Sequence, residues 1–274
     1  MTFPSESIKA QMLDLGKMSP LFPSHVRLTS LIGKGGQGVV YRGDVAEIPA
    51  AIKVYFPGQL EKRIDREVEL LSRISCPAIV PLLWSGQVEL GETSLQAVAM
   101  GFIEGRSLDT VLASGPLDLK GVRVVGHDVA VAIEALWDRR VVHRDLKPSN
   151  LIITVAGRCC VIDLGLARHI DRSPLTMVGV SWGTYGYLSP EQTRAERQLT
   201  CKSDIFALGI ILVEALLGRH PTAGDQLRLL SLGLHERLPG ELIGFPHASL
   251  LQRMLHPRQT MRPMPADLIG ELRQ

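Results

Sequence analysis

The sequence predicts an α+β fold in two parts, a small β-rich first part with one helix and a larger, mainly helical second part. Short aliphatic and β-branched runs recur from Arg27 to Phe102, whereas helical spacing of apolar residues dominates beyond Glu104. The chain has 274 residues, 45% of them hydrophobic and 21% charged. That length and composition allow one large domain or two lobes, each with a packed core.

The first part is predicted to contain a small sheet crossed by a single helix. Residues 60–74 have apolar side chains at helical spacing. The runs that read as strands are 28–32, 39–42, 50–54, 79–84 and 94–102. Residues 1–26, which prolines interrupt, are expected to form a weakly structured extension.

The second part begins with a long apolar-rich helix over residues 122–137. A short hairpin should join 151–153 to 160–162. Ser203 is expected to cap a buried helix from Asp204 to Leu217 that Gly218 ends. This apolar run is shorter than the roughly 20 residues that cross a bilayer, and the N-terminus has no signal-peptide pattern. No membrane span is therefore predicted.

The net charge limits which classes of binding partner the sequence favours, and the cysteine content indicates the cellular compartment. The formal net charge is +2, from 30 basic and 28 acidic residues, so nothing favours nucleic acid or an anionic membrane as a partner. The four cysteines have no metal-ligand spacing. We expect free, buried thiols and a cytoplasmic location, because the cytosol keeps thiols reduced.

The run His143–Asn150 carries the strongest chemical signal. It places an acid, Asp145, two residues before Lys147 and five before the amide Asn150. Such a set can accept a hydroxyl proton, meet charge on a phosphoryl group and ligate magnesium. A charged surface loop with the same letters is the alternative for this run alone.

A glycine cluster, Gly33–Gly38, lies between two predicted strands. Glycines let a backbone approach phosphates closely. A dinucleotide fold would place a helix after them, whereas here a β-branched strand follows, which favours a hairpin over ATP. A hairpin turn without a ligand is the alternative.

Lys53 and Glu67 are predicted to form an ion pair. Lys53 points to the opposite face of its strand from Ile52 and Val54, and Glu67 lies on the apolar face of the helix at 60–74. An acid on an apolar face needs a partner. The alternatives are a lysine on a solvated face and a glutamate at the rim of the helix.

In their order along the chain, these motifs resemble those of Hanks-type serine/threonine protein kinases, most closely the bacterial members. Ile162–Gly165 stands in place of D-F-G and Ser189–Glu191 in place of A-P-E. The resemblance implies a bilobal protein-kinase-like fold over residues 27–274 after the extension at 1–26. Its N-lobe would span about 27–100, its hinge about 101–105 and its C-lobe about 106–274.

The resemblance also implies the roles of individual residues. Asp145 would be the base, Lys147 the γ-phosphate contact, and Lys53, aligned by Glu67, the contact to the α- and β-phosphates. Asn150 and Asp163 would hold magnesium, with manganese as a substitute. The implied ATP-binding residues are Ile32, Gly33, Gly35, Gly38, Val40, Ala51, Lys53, Met100, Gly101, Ile103 and Ile152.

Further expectations concern the segment from Asp163 to Glu191. Thr184 would bond Asp145 and Lys147 to position the substrate. Autophosphorylation is expected at Thr176 and Ser181, with the phosphate held by arginines or, alternatively, with those arginines merely solvated. The arginines are Arg63, Arg144 and Arg168. Structural roles are also implied for three residues, with Asp204 bracing the catalytic run and Glu191 pairing with Arg262.

Two other functions remain open at this point. A pseudokinase would keep the fold without chemistry, although Lys53, Asp145, Asn150 and Asp163 are all present. A small-molecule phosphotransferase would share the fold with a different acceptor. The resemblance implies protein substrates and leaves open a regulatory protein or self-association.

Overall fold

The structure is a computed structural model that describes residues 6–58, 61–164, 168–169, 183–242 and 244–273. The chain folds as two compact units. The first comprises the chain through Ser75 together with Val80–Ile103, and the second comprises Cys76–Ile79 and the chain from Glu104. The predicted change from a β-rich to a mainly helical part is therefore confirmed.

The sheet of the first unit has five strands in the described residues, in the order β1-β2-β3-β5-β4, all antiparallel. Helix α3, Glu61–Arg73, matches the predicted helix. Strand β4 starts later than the run at 79–84 because Pro81 has no N–H for a ladder. The strands are β1 Val26–Lys34, β2 Gly38–Val45, β3 Ile48–Tyr55, β4 Leu82–Leu90 and β5 Thr93–Gly101.

The expectation of a weakly structured extension is wrong for the described residues before β1. They form α1, Glu6–Gln11, and α2, Leu15–Met18. Met12 and Met18 are fully buried with the core side chains of the sheet. The Tyr41 hydroxyl donates to the carbonyl of Met12, and burial, helped by the charge of Asp14, raises the pKa of Tyr41 to about 12. Apolar residues of this N-terminal segment thus pack against one face of the sheet and cover it.

The second unit is built on packed helices and a hairpin. The hairpin joins β8, Leu151–Thr154, to β9, Cys159–Val161, as predicted. β6, Gly105–Ser107, pairs with β8, and β7, Val141–Val142, pairs with β10, Arg168–His169. The described helices of this unit are α4 Leu108–Leu112, α5 Leu119–Trp137, α6 Pro190–Thr193, α7 Cys201–Leu217, α8 Gln226–Ser231, α9 Ala248–Met254 and α10 Pro265–Arg273.

Helix α7 is buried almost throughout, as the apolar run predicts, but its N-cap is not Ser203. Thr200 caps it by accepting from the N–H of Lys202, and Gly218 ends it at a left-handed φ of 68°. The cap lies one turn earlier because Cys201 and Lys202 already have helical backbone, which leaves Ser203 inside the helix. No helix among the described residues is long and apolar enough to cross a membrane.

An acid inside α5 ties this helix to the hairpin. Asp128 is 2% exposed and accepts two hydrogen bonds from Arg158 and one from the N–H of Cys159. Burial acts to raise the pKa of Asp128, but these donors outweigh it and hold the pKa below its ordinary value.

All four cysteines are free, as predicted.

Candidate active site

One face of the first unit's sheet carries three of the predicted nucleotide-binding side chains. Val40 lies opposite Lys53 in the β2–β3 ladder, and Ala51 precedes Lys53 by two residues on the same face. All three are half-buried, whereas Ile52 and Val54 on the other face are fully buried. The alternation therefore aims Lys53 away from the core, as the sequence predicts.

The glycine cluster divides into residues that the fold requires and residues that it does not. A Cβ on Gly38 would lie 2.1 Å from the carbonyl oxygen of Val54, so the hairpin itself demands glycine there. A Cβ on Gly33 or Gly35 would meet no atom of the described residues within 4 Å. Packing against the described residues does not explain those two glycines, and close approach of a ligand would.

The predicted ion pair between Lys53 and Glu67 is not formed. The Lys53 ammonium donates to Oε1 of Gln37 at 2.9 Å and lies 4.6 Å from the centre of the Tyr55 ring. Glu67 is 2% exposed, as expected for an acid on the apolar face, and accepts a 2.8 Å bond from the Tyr55 hydroxyl. Tyr55 lies on the same face of β3 as Lys53, two residues further along the strand. Its hydroxyl, rather than the Lys53 ammonium, contacts the Glu67 carboxylate.

In the second unit, Asp204 braces the run His143–Asn150 as expected. Its two carboxylate oxygens accept from the backbone N–H groups of His143 at 2.8 Å and Arg144 at 2.9 Å. Burial raises the pKa of Asp204, and the charges and N–H groups of His143 and Arg144 oppose that rise. Arg144 has a left-handed φ of 73°, which costs energy for a residue with a side chain and needs such external support.

Asp145, Lys147 and Thr184 form a closed triangle. The Thr184 hydroxyl donates to Oδ1 of Asp145 at 2.7 Å and accepts from the Lys147 ammonium at 2.7 Å. Lys147 also lies 3.1 Å from Oδ2 of Asp145. The predicted bonds of Thr184 are therefore present, and they fix an acid and a cation side by side.

The side-chain amide of Asn150 is held in place by a hydrogen bond within the same loop. Its Nδ2 donates to the carbonyl of Asp145 at 2.9 Å, which leaves Oδ1 as its ligand atom. Its backbone carbonyl accepts from the N–H of Ile162, which places Asp163 next in the chain. No group of three or more acidic, histidine or cysteine ligands occurs among the described residues. Two oxygen donors suit a hard divalent cation that takes its other ligands from phosphate and water.

The segment after Gly183 is tied to the base of the site. Ser189 and Gln192 form a capping box on α6, and the Gln192 side chain donates to the carbonyl of Arg144 at 2.9 Å. Gly183 has a φ of 131°, and a Cβ there would lie 2.8 Å from the same carbonyl. This support was not predicted, although the S-x-x-Q spacing of a capping box is visible in the sequence.

Glu191 and Arg262 pair as expected. Arg262 donates to both carboxylate oxygens of Glu191, at 2.6 Å and 2.9 Å, and also to three backbone carbonyls. Ser203 donates to Oε1 of Glu191 at 2.7 Å. Burial acts to raise the pKa of Glu191, and Arg262 and Ser203 outweigh it, so the pKa lies below its ordinary value.

A model of the protein kinase domain matches residues 26–269, nearly the whole chain. The chain belongs to the protein kinase domain family. Within that family it is a Hanks-type domain most similar to bacterial members. As members of this family use ATP and a divalent metal, the oxygen donors Asn150 and Asp163 fit that requirement.

Several bacterial proteins are similar to this kinase domain. The chain is 32% identical over 231 residues to a protein of Lactococcus lactis named as a probable serine/threonine-protein kinase, PknB, covering 81% of this chain and 35% of that protein. It is 31% identical over 222 residues to the serine/threonine-protein kinase PknD of Mycobacterium tuberculosis, covering 78% and 33%. For the serine/threonine-protein kinase AfsK of Streptomyces coelicolor the values are 32% over 251 residues, 88% and 30%. The chain spans about a third of the length of these relatives.

The remaining predicted ATP-binding residues of the kinase domain are divided between the two units. Met100 is buried in β5 opposite Ala51, and the N–H of Gly101 donates to the carbonyl of Pro81. Ile32 is 49% exposed, Ile103 is half-buried after β5, and Ile152 is half-buried in β8 of the second unit. Thr176, Ser181, Gly165 and the side chains of Arg63 and Arg168 lie outside the described residues.

Proposed function

We propose that this chain is an ATP- and magnesium-dependent serine/threonine protein kinase, with manganese as a substitute metal. It transfers the γ-phosphate of ATP to serine and threonine hydroxyls of proteins. The triangle of Asp145, Lys147 and Thr184 carries this proposal, because it holds a carboxylate and a cation at fixed positions. The names of the similar bacterial proteins support the same reaction.

The charge of each residue determines its role in the proposed reaction. A carboxylate has about four lone-pair sites, so Asp145 can accept a substrate hydroxyl proton while Thr184 and Lys147 hold it. Lys147 stabilises negative charge on the transferred group, and Lys53 binds the α- and β-phosphates. Bound magnesium, held by Asn150 and Asp163, would neutralise phosphate charge. Positioning and electrostatics then supply most of the rate.

The experiment is incubation of the chain with γ-labelled ATP, magnesium and a generic unfolded protein. We expect label on serine and threonine of the chain itself or of the added protein. Asp145→Asn should lower the rate by about 10²- to 10⁴-fold, because it removes the base. Asp138→Asn, an exposed aspartate at the end of α5, is the matched control and should label like wild type.

The other candidate functions give different results. A pseudokinase would leave no label on any protein, and a small-molecule phosphotransferase would label only an added metabolite. Full labelling by Asp145→Asn would refute the catalytic assignment. We further propose autophosphorylation at Thr176 and Ser181, which mass spectrometry of the active protein tests. A cytoplasmic location is supported by free cysteines and by the use of ATP.

A further inference from the structure

A cavity of about 370 Å³ opens in the second unit between the N-terminal half of α5, the β8–β9 hairpin and the end of α10. The run His143–Asn150 is not part of it. Basic side chains dominate its lining, although the whole chain has a net charge of only +2. They are Lys120, Arg123, His127, Arg158 and Arg273, with Asp128 as the acid among the described lining residues. The volume lies at the lower end of the range of about 300–1,000 Å³ that small-ligand sites have.

Asp128 does not oppose an incoming anion, because its carboxylate is already fully used. It is 2% exposed and accepts from Arg158 at 2.6 Å and 2.9 Å and from the N–H of Cys159 at 2.8 Å. Arg273 donates to Nε2 of His127 at 3.3 Å, so this imidazole is neutral and carries its proton on Nδ1. Nδ1 therefore donates to Asp128 at 3.0 Å. The roughly four lone-pair sites of the carboxylate are thus filled.

Three cations of the lining keep an unbalanced charge. In the part of the chain that the structure describes, no carboxylate forms an ion pair with Lys120, Arg123 or Arg273. Glu271, the acid beside the end of α10, is taken by Arg253, which donates to its two oxygens at 2.6 Å and 2.7 Å. The cavity therefore holds positive charge that an anion would neutralise.

Two of the arginines are anchored in a way that suits a phosphate. Arg123 donates from Nε to the carbonyl of Leu272 at 3.3 Å, and Arg273 donates from Nε to His127. These bonds use one nitrogen of each guanidinium, so the two terminal nitrogens of each fork remain for a ligand. A guanidinium fork matches the spacing of phosphate oxygens and binds them in pairs.

We propose that this cavity binds the phosphate group of a phosphoserine or phosphothreonine in a protein segment. The inference rests on the proposed function in one respect, because that reaction makes the ligand. Such a phosphate carries about −1.5 to −2 charge at pH 7 and three acceptor oxygens, which suits three unbalanced cations. Lys120, Arg158 and Arg273 are exposed, so the phosphate can enter on their side while its chain stays outside.

The surroundings favour a protein segment over other phosphates. The apolar side chains of the lining are Val124 and Leu272, and no aromatic ring of the described residues is there to stack on a nucleotide base. Leu119, next to Lys120, is 41% exposed, and Val155, at the turn of the hairpin, is 81% exposed. These two can cover apolar side chains on either side of the phosphorylated residue, which a free phosphate lacks.

The test is fluorescence anisotropy of the full 274-residue chain without ATP, with a short labelled peptide that carries one phosphoserine between leucines. We expect the same peptide with plain serine to bind at least about tenfold more weakly. Arg123→Gln and Arg273→Gln should each weaken binding of the phosphopeptide about tenfold, because each loses hydrogen bonds to a charged group. Arg237→Gln, at an exposed arginine after α8 in the same unit, is the matched control and should bind like wild type.

Inorganic phosphate and vesicles with anionic lipid are the competing probes. Inorganic phosphate should displace the phosphopeptide only at concentrations at least about tenfold above the peptide's Kd, and vesicles should not displace it. Displacement by inorganic phosphate at the peptide's own Kd, or by the vesicles, would overturn the protein segment as the ligand. Equal binding of the two peptides, or unchanged binding in both arginine variants, would overturn the site itself.

Activity is measured separately. Arg123→Gln should label a generic unphosphorylated protein from γ-labelled ATP at the wild-type rate, because Arg123 lies outside the triangle of Asp145, Lys147 and Thr184. If neither chain transfers phosphate, the proposed function fails. The anisotropy experiment needs no transfer and then still decides whether the cavity binds the phosphopeptide.

Discussion

The buried pair of Glu191 and Arg262 should be the most sensitive ionic contact of the second unit. The Arg262 side chain is fully buried, and the Glu191 side chain is 3% exposed. Arg262→Met removes both bonds to the carboxylate and leaves Ser203 as the remaining side-chain donor to it. Breaking one half of a buried ion pair costs about 3–5 kcal/mol. We expect a value near the upper end, because three backbone carbonyls also lose their donor.

The assay is equilibrium unfolding in urea, followed by circular dichroism. Arg262→Lys keeps the charge but loses the two-pronged geometry, so it should lie between wild type and Arg262→Met. Combining Arg262→Met with Glu191→Leu removes the stranded carboxylate, so the double variant should be more stable than Arg262→Met alone. A loss below about 1 kcal/mol in Arg262→Met, or a double variant that equals the sum of the single variants, would refute the reasoning.

Three further predictions concern the glycine cluster, Asp204 and the pH dependence of stability. Gly38→Ala should destabilise the first unit, whereas Gly35→Ala should leave Tm unchanged and raise KM for ATP, because only the first Cβ meets backbone. Comparing Tm and KM for both checks this. Asp204→Ala should lower kcat about tenfold or more and also lower Tm, because Arg144 loses support for its strained backbone. The folded-state pKa of Glu191 is depressed, so its stabilisation is present above its ordinary value of 4.5 and is lost as the pH falls through the folded pKa. Urea unfolding from pH 6 to pH 3 should show this loss in wild type and not in Arg262→Met.

The sequence was sufficient where chemistry depends on neighbours along the chain. The spacing in His143–Asn150 fixes which groups can share one loop, and the alternation in β3 fixes the face of Lys53. The pair between Glu191 and Arg262 was predicted only through the family resemblance, because 71 positions separate the two residues. Nothing local in the sequence would have joined them.

Two predictions were wrong because more than one hydrogen-bonding partner was available to the same group. Lys53 and Glu67 have the right charges to pair, but Tyr55 and Gln37 can also satisfy them, and only the side-chain arrangement decides. Thr200 and Ser203 can both cap a helix, and the choice depends on where the backbone turns. In both cases the sequence offers more than one donor or acceptor, and three-dimensional packing selects one.

The two short helices before β1 make the folding unit longer than the region matched by the family. The kinase domain model begins at residue 26, yet Met12 and Met18 belong to the core of the sheet. Full burial of a methionine side chain contributes about 1.5–3 kcal/mol, so these two together contribute on the order of 3–6 kcal/mol. A protein cut at the family boundary would expose Tyr41 and its neighbours as an apolar surface prone to aggregation. Expression of this domain should therefore start before Glu6.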